Sequence, residues 1–341
     1  MATIKEIADI VGVSATTVSN VIHGKAKQVS PAMVEKIRKA LEEYGYTPNI
    51  SARNLASNKS KIIGVIMKSH HGHERNRFID PFISELLGEI ERCANKMGYY
   101  VMVYASQDIQ ELKNYIISWN IDGMVMVGFV AEEIRSVQAV CRRPMALIDV
   151  YGFSGMENCI GIGLKDRDGM YLLTRYVISC GHRKIAFLAD NDTNLDHERR
   201  IGFVQAVEEA GLKAEPEDFV RIIPAGYYQI ANMDEIYSRS FRYTAMMCCS
   251  DYYAALVLNG LKDRGRKVPE DISVTGFDDN YLARFVRPAL TTVRQDMGQK
   301  GRAAVESLCA MMETPGEIHS RNIVLPTELV VRDSVGMIEK K

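Results

Sequence analysis

From residue 61 to about residue 331 the chain alternates continuous apolar runs with amphipathic stretches, and this alternation narrows the possible folds more than any other feature. The run at 62–67, IIGVIM, has no polar side to turn to solvent. It reads as a strand covered on both faces, as in a parallel sheet with helices above and below. Further strands are expected at 99–104, 123–127 and 145–150, with helices at 82–97, 111–120 and 131–141 between them. Phe82, Leu86, Ile90 and Ala94 share one face of the first of these helices. A second series follows Asp168, with strands at 185–189, 219–223, 245–249 and 272–277 and helices at 169–180, 198–210, 234–241 and 252–264. Such alternation predicts an α/β body of doubly wound parallel sheets. Two series without a repeat of sequence predict two subdomains, with a ligand cleft beyond the carboxyl ends of the strands. A strand at 290–294, a helix at 298–312 and a last strand at 323–331 complete the pattern.

The first sixty residues have a different, all-helical character. Ile4, Ile7, Ala8 and Val11 mark one helical face behind a Thr3 cap, and Gly12 can end that helix in the left-handed conformation. Ser14 can cap a second helix that buries Val18, Val21 and Ile22 and exposes Ala15, Thr16, Ser19 and Asn20. This is the sequence form of a helix-turn-helix, whose second helix enters the major groove of DNA. Many short helix pairs around a glycine bind nothing, so spacing alone leaves DNA binding open. His23 and Lys25 lie in the polar turn that follows, and a third helix should run from a Ser30 cap and Pro31 to Tyr44, turning Met33, Val34, Ile37, Ala40 and Leu41 inward. Residues 47–58, opened by Pro48, have material for at most two helical turns, too short to persist unaided in water, and read as a linker. The charge is unevenly shared. Eight Lys and Arg against five acids give residues 1–60 a net +3, so a chain of net -1 leaves -4 for the rest. A basic head on an acidic body suits a body that avoids phosphates while its head meets them.

ATIKEIADIVGVSATTVSNVIHG, followed by VSPAMVEKIRKALEEYGYTPNISARNLASNKSKIIGV, resembles the N-terminus of the lactose-repressor/galactose-repressor (LacI/GalR) family of bacterial transcription regulators. Weaker family motifs continue to about Asp333. The resemblance implies a helix-turn-helix domain at 1–46, a hinge helix at 47–60 that orders on operator DNA, and an effector-binding body at 61–333 of the periplasmic-binding-protein-like type. Its N-subdomain would take about 61–162 and 293–321, its C-subdomain about 163–290 and 322–333, leaving 334–341 as a tail without a leucine heptad. Implied DNA contacts are Thr3, Ser14, Ala15, Thr16, Ser19, Asn20, His23, Lys25 and Tyr46, with Leu55 wedged between the central base pairs. Ala56 stands where some members carry a lysine. Implied effector contacts are Phe82, Asp149, Arg199, Tyr228, Ser250, Asp278 and Gln295. Arg199 precedes the aromatic Phe203 by four residues, Asp278 matches the family's GYD aspartate, and Asp279 beside it reads as solvated. Ser250-Asp251 replaces the family's usual Asn-Asp. Carboxylates, one arginine and flanking aromatics suit a polyhydroxylated ligand, and an acidic or phosphorylated sugar would make particular use of Arg199.

Other classes fit less well. Gly161-Ile162-Gly163-Leu164-Lys165-Asp166 lacks the third glycine of a dinucleotide fingerprint, and the chain has no GxSxG or HExxH, so no enzyme is expected. No apolar run reaches the ~18 residues of a membrane span, and the N-terminus opens directly into a helix, which predicts a cytoplasmic protein. Seven scattered cysteines without a CxxC read as buried thiols of a reducing compartment. His70, His71 and His73, in the polar stretch 68–79, lack a fixed acidic or Cys partner and read as a loop at the cleft rim rather than a metal site. The expectation is a homodimeric repressor bound to double-stranded operator DNA and controlled by a small molecule, a sugar or sugar derivative, with no cofactor, metal or membrane partner. The alternative is a family regulator controlled by a phosphorylated carrier protein. A transported-sugar binding protein would share the body but not the helix-turn-helix.

Overall fold

The computed structural model describes residues 2–22, 24–26, 29–46, 59–68, 77–225, 228–314 and 321–338. The chain divides into two compact units, Met1–Ser60 and Lys61–Lys341.

In the first unit α1 (Ile4–Val11), α2 (Ala15–Ile22) and α3 (Pro31–Glu43) enclose a core of Ile7, Ala8, Val11, Val18, Val21, Ile37 and Ala40. The local chemistry that starts each helix is explicit. Thr3 N donates to Glu6 Oε2 at 2.7 Å and Glu6 N to Thr3 Oγ1 at 3.2 Å, a capping box on α1. Ser14 Oγ accepts from Thr17 N at 3.1 Å and Ser30 Oγ from Met33 N at 3.4 Å. Gly12, at φ +80°, takes the left-handed turn that lets α2 leave α1. Lys36 Nζ donates to Val11 O at 3.1 Å, placing a cation on the negative end of the α1 dipole.

The second unit begins with β1 (Ile62–Lys68), α4 (Pro81–Lys96), β2 (Tyr100–Ser106), α5 (Ile109–Ser118), β3 (Gly123–Val127), α6 (Ala131–Gln138), β4 (Met145–Ile148) and β5 (Cys159–Leu164). It continues through α7 (Asp166–Ser179), β6 (Ile185–Ala189), α8 (Asn194–Glu209), β7 (Phe219–Arg221), α9 (Met233–Ser240), β8 (Ala245–Cys248), α10 (Asp251–Asp263), β9 (Ser273–Thr275) and α11 (Tyr281–Phe285). It ends with β10 (Thr292–Arg294), α12 (Met297–Glu313), β11 (Arg321–Leu325) and β12 (Glu328–Val330). One parallel sheet has the order β11-β5-β4-β3-β1-β2 and the other β7-β6-β8-β9, while β10 and β12 form an antiparallel pair. Strands β3, β4, β6 and β8 are buried along their whole length, as helices on both faces require.

Three features differ from the sequence expectations. The stretch 159–164 is a strand, although its alternating glycines break the apolar run. A Cβ at Gly161 would lie 2.3 Å from the Phe153 ring, so the glycine makes room for the aromatic cover that buries the strand. The last strand, expected at 323–331 and assigned to the second subdomain, is two strands. β11 pairs in parallel with β5 and extends the first sheet, whereas β12 pairs with β10. Pro326 between them has no N–H to continue the β11 ladder, so the chain leaves the sheet there. Finally, the expected tail is packed through residue 338. Ser334 Oγ accepts from Thr291 N at 2.9 Å and donates to Val274 O at 2.5 Å, and Ile338 N reaches Cys180 O at 2.8 Å.

Candidate functional site

In the helical unit, Ala15 and Thr16 are exposed on the first turn of α2, and Ser19 and Asn20 are half-buried on its second turn. Thr3 and Ser14, expected to touch DNA, also cap helices, so their hydroxyls have a structural task as well. Lys25 is exposed, with its N–H bonded to Asn20 O at 2.8 Å, and Tyr46 packs half-buried against the head core. His23 and Leu55 lie outside the described residues, as do His70, His71 and His73. The first turn of α2 presents small and hydroxyl side chains over a helix N-terminus, a surface able to approach a phosphate or a base edge closely.

In the larger unit, four residues from separate elements form one buried chain of hydrogen bonds. Lys300 Nζ on α12, fully buried, donates to Asp149 Oδ1 and Oδ2 at 2.9 and 2.7 Å and to Gln295 Oε1 at 2.9 Å. All three ammonium protons are thereby used. Gln295 Nε2 then donates to Asp278 Oδ1. Asp149 follows β4 of the six-stranded sheet and Asp278 follows β9 of the four-stranded one, so this chain joins the carboxyl ends of the two sheets. Both aspartates have positive φ; the 53° of Asp149 lies in the left-handed region that Asp tolerates better than most residues, whereas the 125° of Asp278 lies beyond it.

A second chain runs beside it. Tyr151 Oη donates to Asp166 Oδ2 at 2.8 Å, and Arg199 Nε donates to Asp166 Oδ1 at 2.8 Å. Arg199 also donates to Cys249 O at 2.5 Å, with its guanidinium carbon 3.6 Å from the Phe277 ring centroid. Helices α7 and α8 meet closely enough for this pair because residue 202 is glycine; a Cβ there would lie 2.2 Å from Arg167 O. The expectation that Arg199 would hold an acidic ligand group meets a guanidinium already neutralised by Asp166. Neither Asp166 nor Lys300 was expected at the site. Lys300 had a signal in the sequence, a single cation on the apolar stripe it shares with Ala304 and Leu308; Asp166 had none.

The remaining expected residues are distributed around these chains. The Phe82 ring centroid lies 5.2 Å from Lys300 Nζ, and Phe82 N donates to Asp80 Oδ1 at 3.0 Å. Ser250 Oγ caps α10 by accepting from Tyr253 N at 3.2 Å. Tyr228, 62 % exposed, lines a cavity of about 690 Å³ with Ile79, Met233, Tyr252, Tyr281 and Leu282. Asp251 accepts from Thr292 Oγ1 at 2.6 Å and from Asn280 N at 3.0 Å. Asp279 is not solvated. Its carboxylate is fully buried and ion-paired with Arg294 at 2.7 Å, Arg332 at 2.5 Å and Arg284 at 3.4 Å, because the two crossing segments bring arginines to it.

Burial sets the electrostatics of this region. It pushes Asp278 up to about 7 against the pull of Arg199, and Asp196 up to about 7 with help from Asp190. Asp80 is pushed up to about 6 by burial, against the hydrogen bond from Phe82 N. Asp149 is raised by burial, with Lys300 opposing. At Asp279 burial also acts upward, but hydrogen bonds from Arg294 and Arg332 outweigh it and hold the carboxyl below the usual range. The site is thus rich in carboxylates whose charge depends on what sits beside them. It offers many hydrogen-bond acceptors and, apart from Arg199 and Lys300, no buried cation among the described residues.

Residues 3–49 match the profile of bacterial regulatory proteins of the lacI family, and residues 174–335 match a periplasmic binding protein-like domain. The chain is 30% identical over 348 residues to the HTH-type transcriptional repressor PurR of Pasteurella multocida, covering 98% of this chain and 99% of that protein. It is 28% identical over 340 residues to the ribose operon repressor of Haemophilus influenzae, covering 98% and 99%. Among solved structures, the Lac repressor dimer bound to operator and the anti-inducer ONPF superposes with a TM-score of 0.81 at 24% identity, covering 98% of this chain and 99% of that one. The transcriptional regulator CelR in complex with cellobiose gives 0.72 at 25% identity, covering 98% and 100%.

Proposed function

Because the chain belongs to the LacI family of bacterial regulatory proteins, and is a DNA-binding transcriptional repressor of that family, we propose that a small ligand held between its two parallel sheets controls operator binding. The observation that carries this reading is the buried Asp149–Lys300–Gln295–Asp278 chain, which ties the ends of the two sheets through hydrogen bonds that a change in their separation would break. A ligand that binds more tightly to one arrangement of the sheets than to another shifts the balance between them by that difference in affinity. The protein acts as a homodimer on a pseudo-palindromic site, with Ala15, Thr16, Ser19 and Asn20 in the major groove. Thr3, Ser14, His23, Lys25 and Tyr46 meet the backbone, and Leu55 enters the minor groove at the centre. Phe82, Asp149, Arg199, Tyr228, Ser250, Asp278 and Gln295 surround the ligand. A sugar derivative suits the acceptor-rich site; one similar protein is a ribose operon repressor and another is in complex with cellobiose.

The test is selection of binding sites from random duplexes with the full-length protein, followed by salt-dependent affinity measurements on the selected site. A symmetric site is expected, with affinity falling steeply as salt rises. Asn20→Ala should relax preference at one position in each half-site, with a cost of about 1–3 kcal/mol there. A uniform loss over all sequences would show that Asn20 touches only the backbone. No preference for any symmetric site would refute the reading.

A further inference from the structure

The cleft holds more negative charge than its own cations neutralise. Lys300 is engaged by Asp149 and Arg199 by Asp166. No Lys, Arg or His among the described residues forms an ion pair with Asp80, Asp190, Asp196 or Asp278. These carboxyls feel one another: Asp190 acts on both Asp80 and Asp196, and Asp80 acts on Asp278. Asp190 and Asp196 each place a carboxylate oxygen within 4.8 Å of the other and of Cys249 Sγ. Asp190 is held by Tyr253 Oη at 2.9 Å and by Asn191 Nδ2 at 2.9 Å, and Asp196 Oδ2 by Asn191 Nδ2 at 2.8 Å. The other oxygen, Asp196 Oδ1, meets no N–H or O–H donor among the described residues, on a side chain only 6 % exposed, and the Cys249 thiol acts on this carboxyl only as a weak S–H donor. A buried acceptor left in this state is costly, so the site lacks a strong donor that something else must supply.

We propose, building on the effector-cleft reading above, that the ligand carries a protonated amine which docks on Asp190 and Asp196 beside Tyr253. An ammonium group supplies three N–H donors and a positive charge, so it satisfies Asp196 Oδ1 and offsets the surplus together. Tyr253, whose Oη donates to Asp190 Oδ2 at 2.9 Å, holds that carboxylate in place for the amine. A neutral polyol can donate to Asp196 but leaves the charge in place, and an anionic ligand meets repulsion from all four carboxyls. A metal ion fits less well than an amine. Cys249 is a buried thiol held in its protonated form by burial and by Asp196 and Asp190, and the Asn191 amide already takes up an oxygen of each carboxylate.

The experiment follows melting of the full-length protein at pH 8 through the fluorescence of its only tryptophan, Trp119, and release of the selected operator in parallel. The probes are D-glucosamine, putrescine and agmatine as amines, D-glucose and N-acetyl-D-glucosamine as neutral compounds, D-gluconate as an anion, and zinc chloride. At least one amine should raise the melting temperature, its neutral counterparts should not, and Asp196→Asn and Asp190→Asn should each weaken that effect roughly tenfold or more. Asp196→Asn without amine should melt higher than the parent, which shows that it folds. Equal or better binding of a neutral or anionic compound overturns the proposal, as does a response to zinc alone, a response to none of the probes, or an amine effect that survives both substitutions. Operator release by D-glucose would overturn the amine while leaving the repressor reading intact. Failure to bind any operator would strike the repressor reading and leave the melting shifts to judge the amine.

Discussion

Replacing Lys300 by methionine removes the cation at the centre of the buried chain and leaves most of its volume filled. Lys300 has no exposed surface, and its three bonds to Asp149 and Gln295 are 2.7–2.9 Å long, so its removal leaves the buried Asp149 carboxylate without its ion-pair partner. Deleting one member of a buried pair costs about 3–5 kcal/mol because the other charge stays behind. For a body of this size each kcal/mol moves the melting temperature by roughly 2–4 °C, so Lys300→Met should lower it by about 10 °C. Thermal or urea unfolding followed at Trp119, which lies in the body, measures this. The double variant Asp149→Asn with Lys300→Met should recover most of the loss, since both charges are then gone. Asn is also suited to the φ of +53° at that position. A loss below about 1 kcal/mol, the range of exposed pairs, would refute the reasoning. So would single-variant losses that simply add in the double variant, which would mean the two groups are not coupled.

Other perturbations follow from the same contacts. Asp279→Ala removes the carboxylate shared by Arg294, Arg332 and Arg284; Arg294 and Arg284 are half exposed and Arg294 keeps Glu328, so the cost falls mainly on Arg332 and should be about 1–3 kcal/mol in urea unfolding. Gly276→Ala would put a Cβ 2.1 Å from Asp251 Oδ1, so it should destabilise the body and disturb the bond from Thr292, visible as a lowered melting temperature. Asp196 has a folded-state pKa of about 7, above its ordinary 3.8, so its folded form holds the proton more tightly. Its contribution to stability is complete below about pH 4 and is lost as pH rises through 7. Asp196→Asn should therefore match the parent in melting temperature near pH 4 and exceed it by a growing margin up to pH 8. A margin that shrinks with rising pH would contradict the assignment.

Much of this architecture is legible in the sequence. Thr3, Gly12, Ser14 and Pro31 act through bonds to near neighbours in the chain, so the three head helices could be placed from local chemistry alone. The buried strands announced themselves because a strand covered on both faces must be apolar throughout. Asp149, Asp278 and Gln295 could be named from the resemblance to a family, and all three fall in one buried chain of hydrogen bonds. What joins them could not be named. Lys300 is 151 positions from Asp149, and whether a lysine on a helix stripe meets solvent or a carboxylate depends on which sheet that helix covers. Asp279 looked like a surface acid because nothing nearby in the chain predicts that segments around 294 and 332 return to it. The division of the last strand likewise waited on a partner, since β11 and β12 differ in which distant strand accepts their hydrogen bonds. Helix starts and apolar periods are settled within a few residues. Ion pairs, charge surplus and sheet membership depend on contacts between segments far apart in the chain, and only the tertiary structure chooses among them.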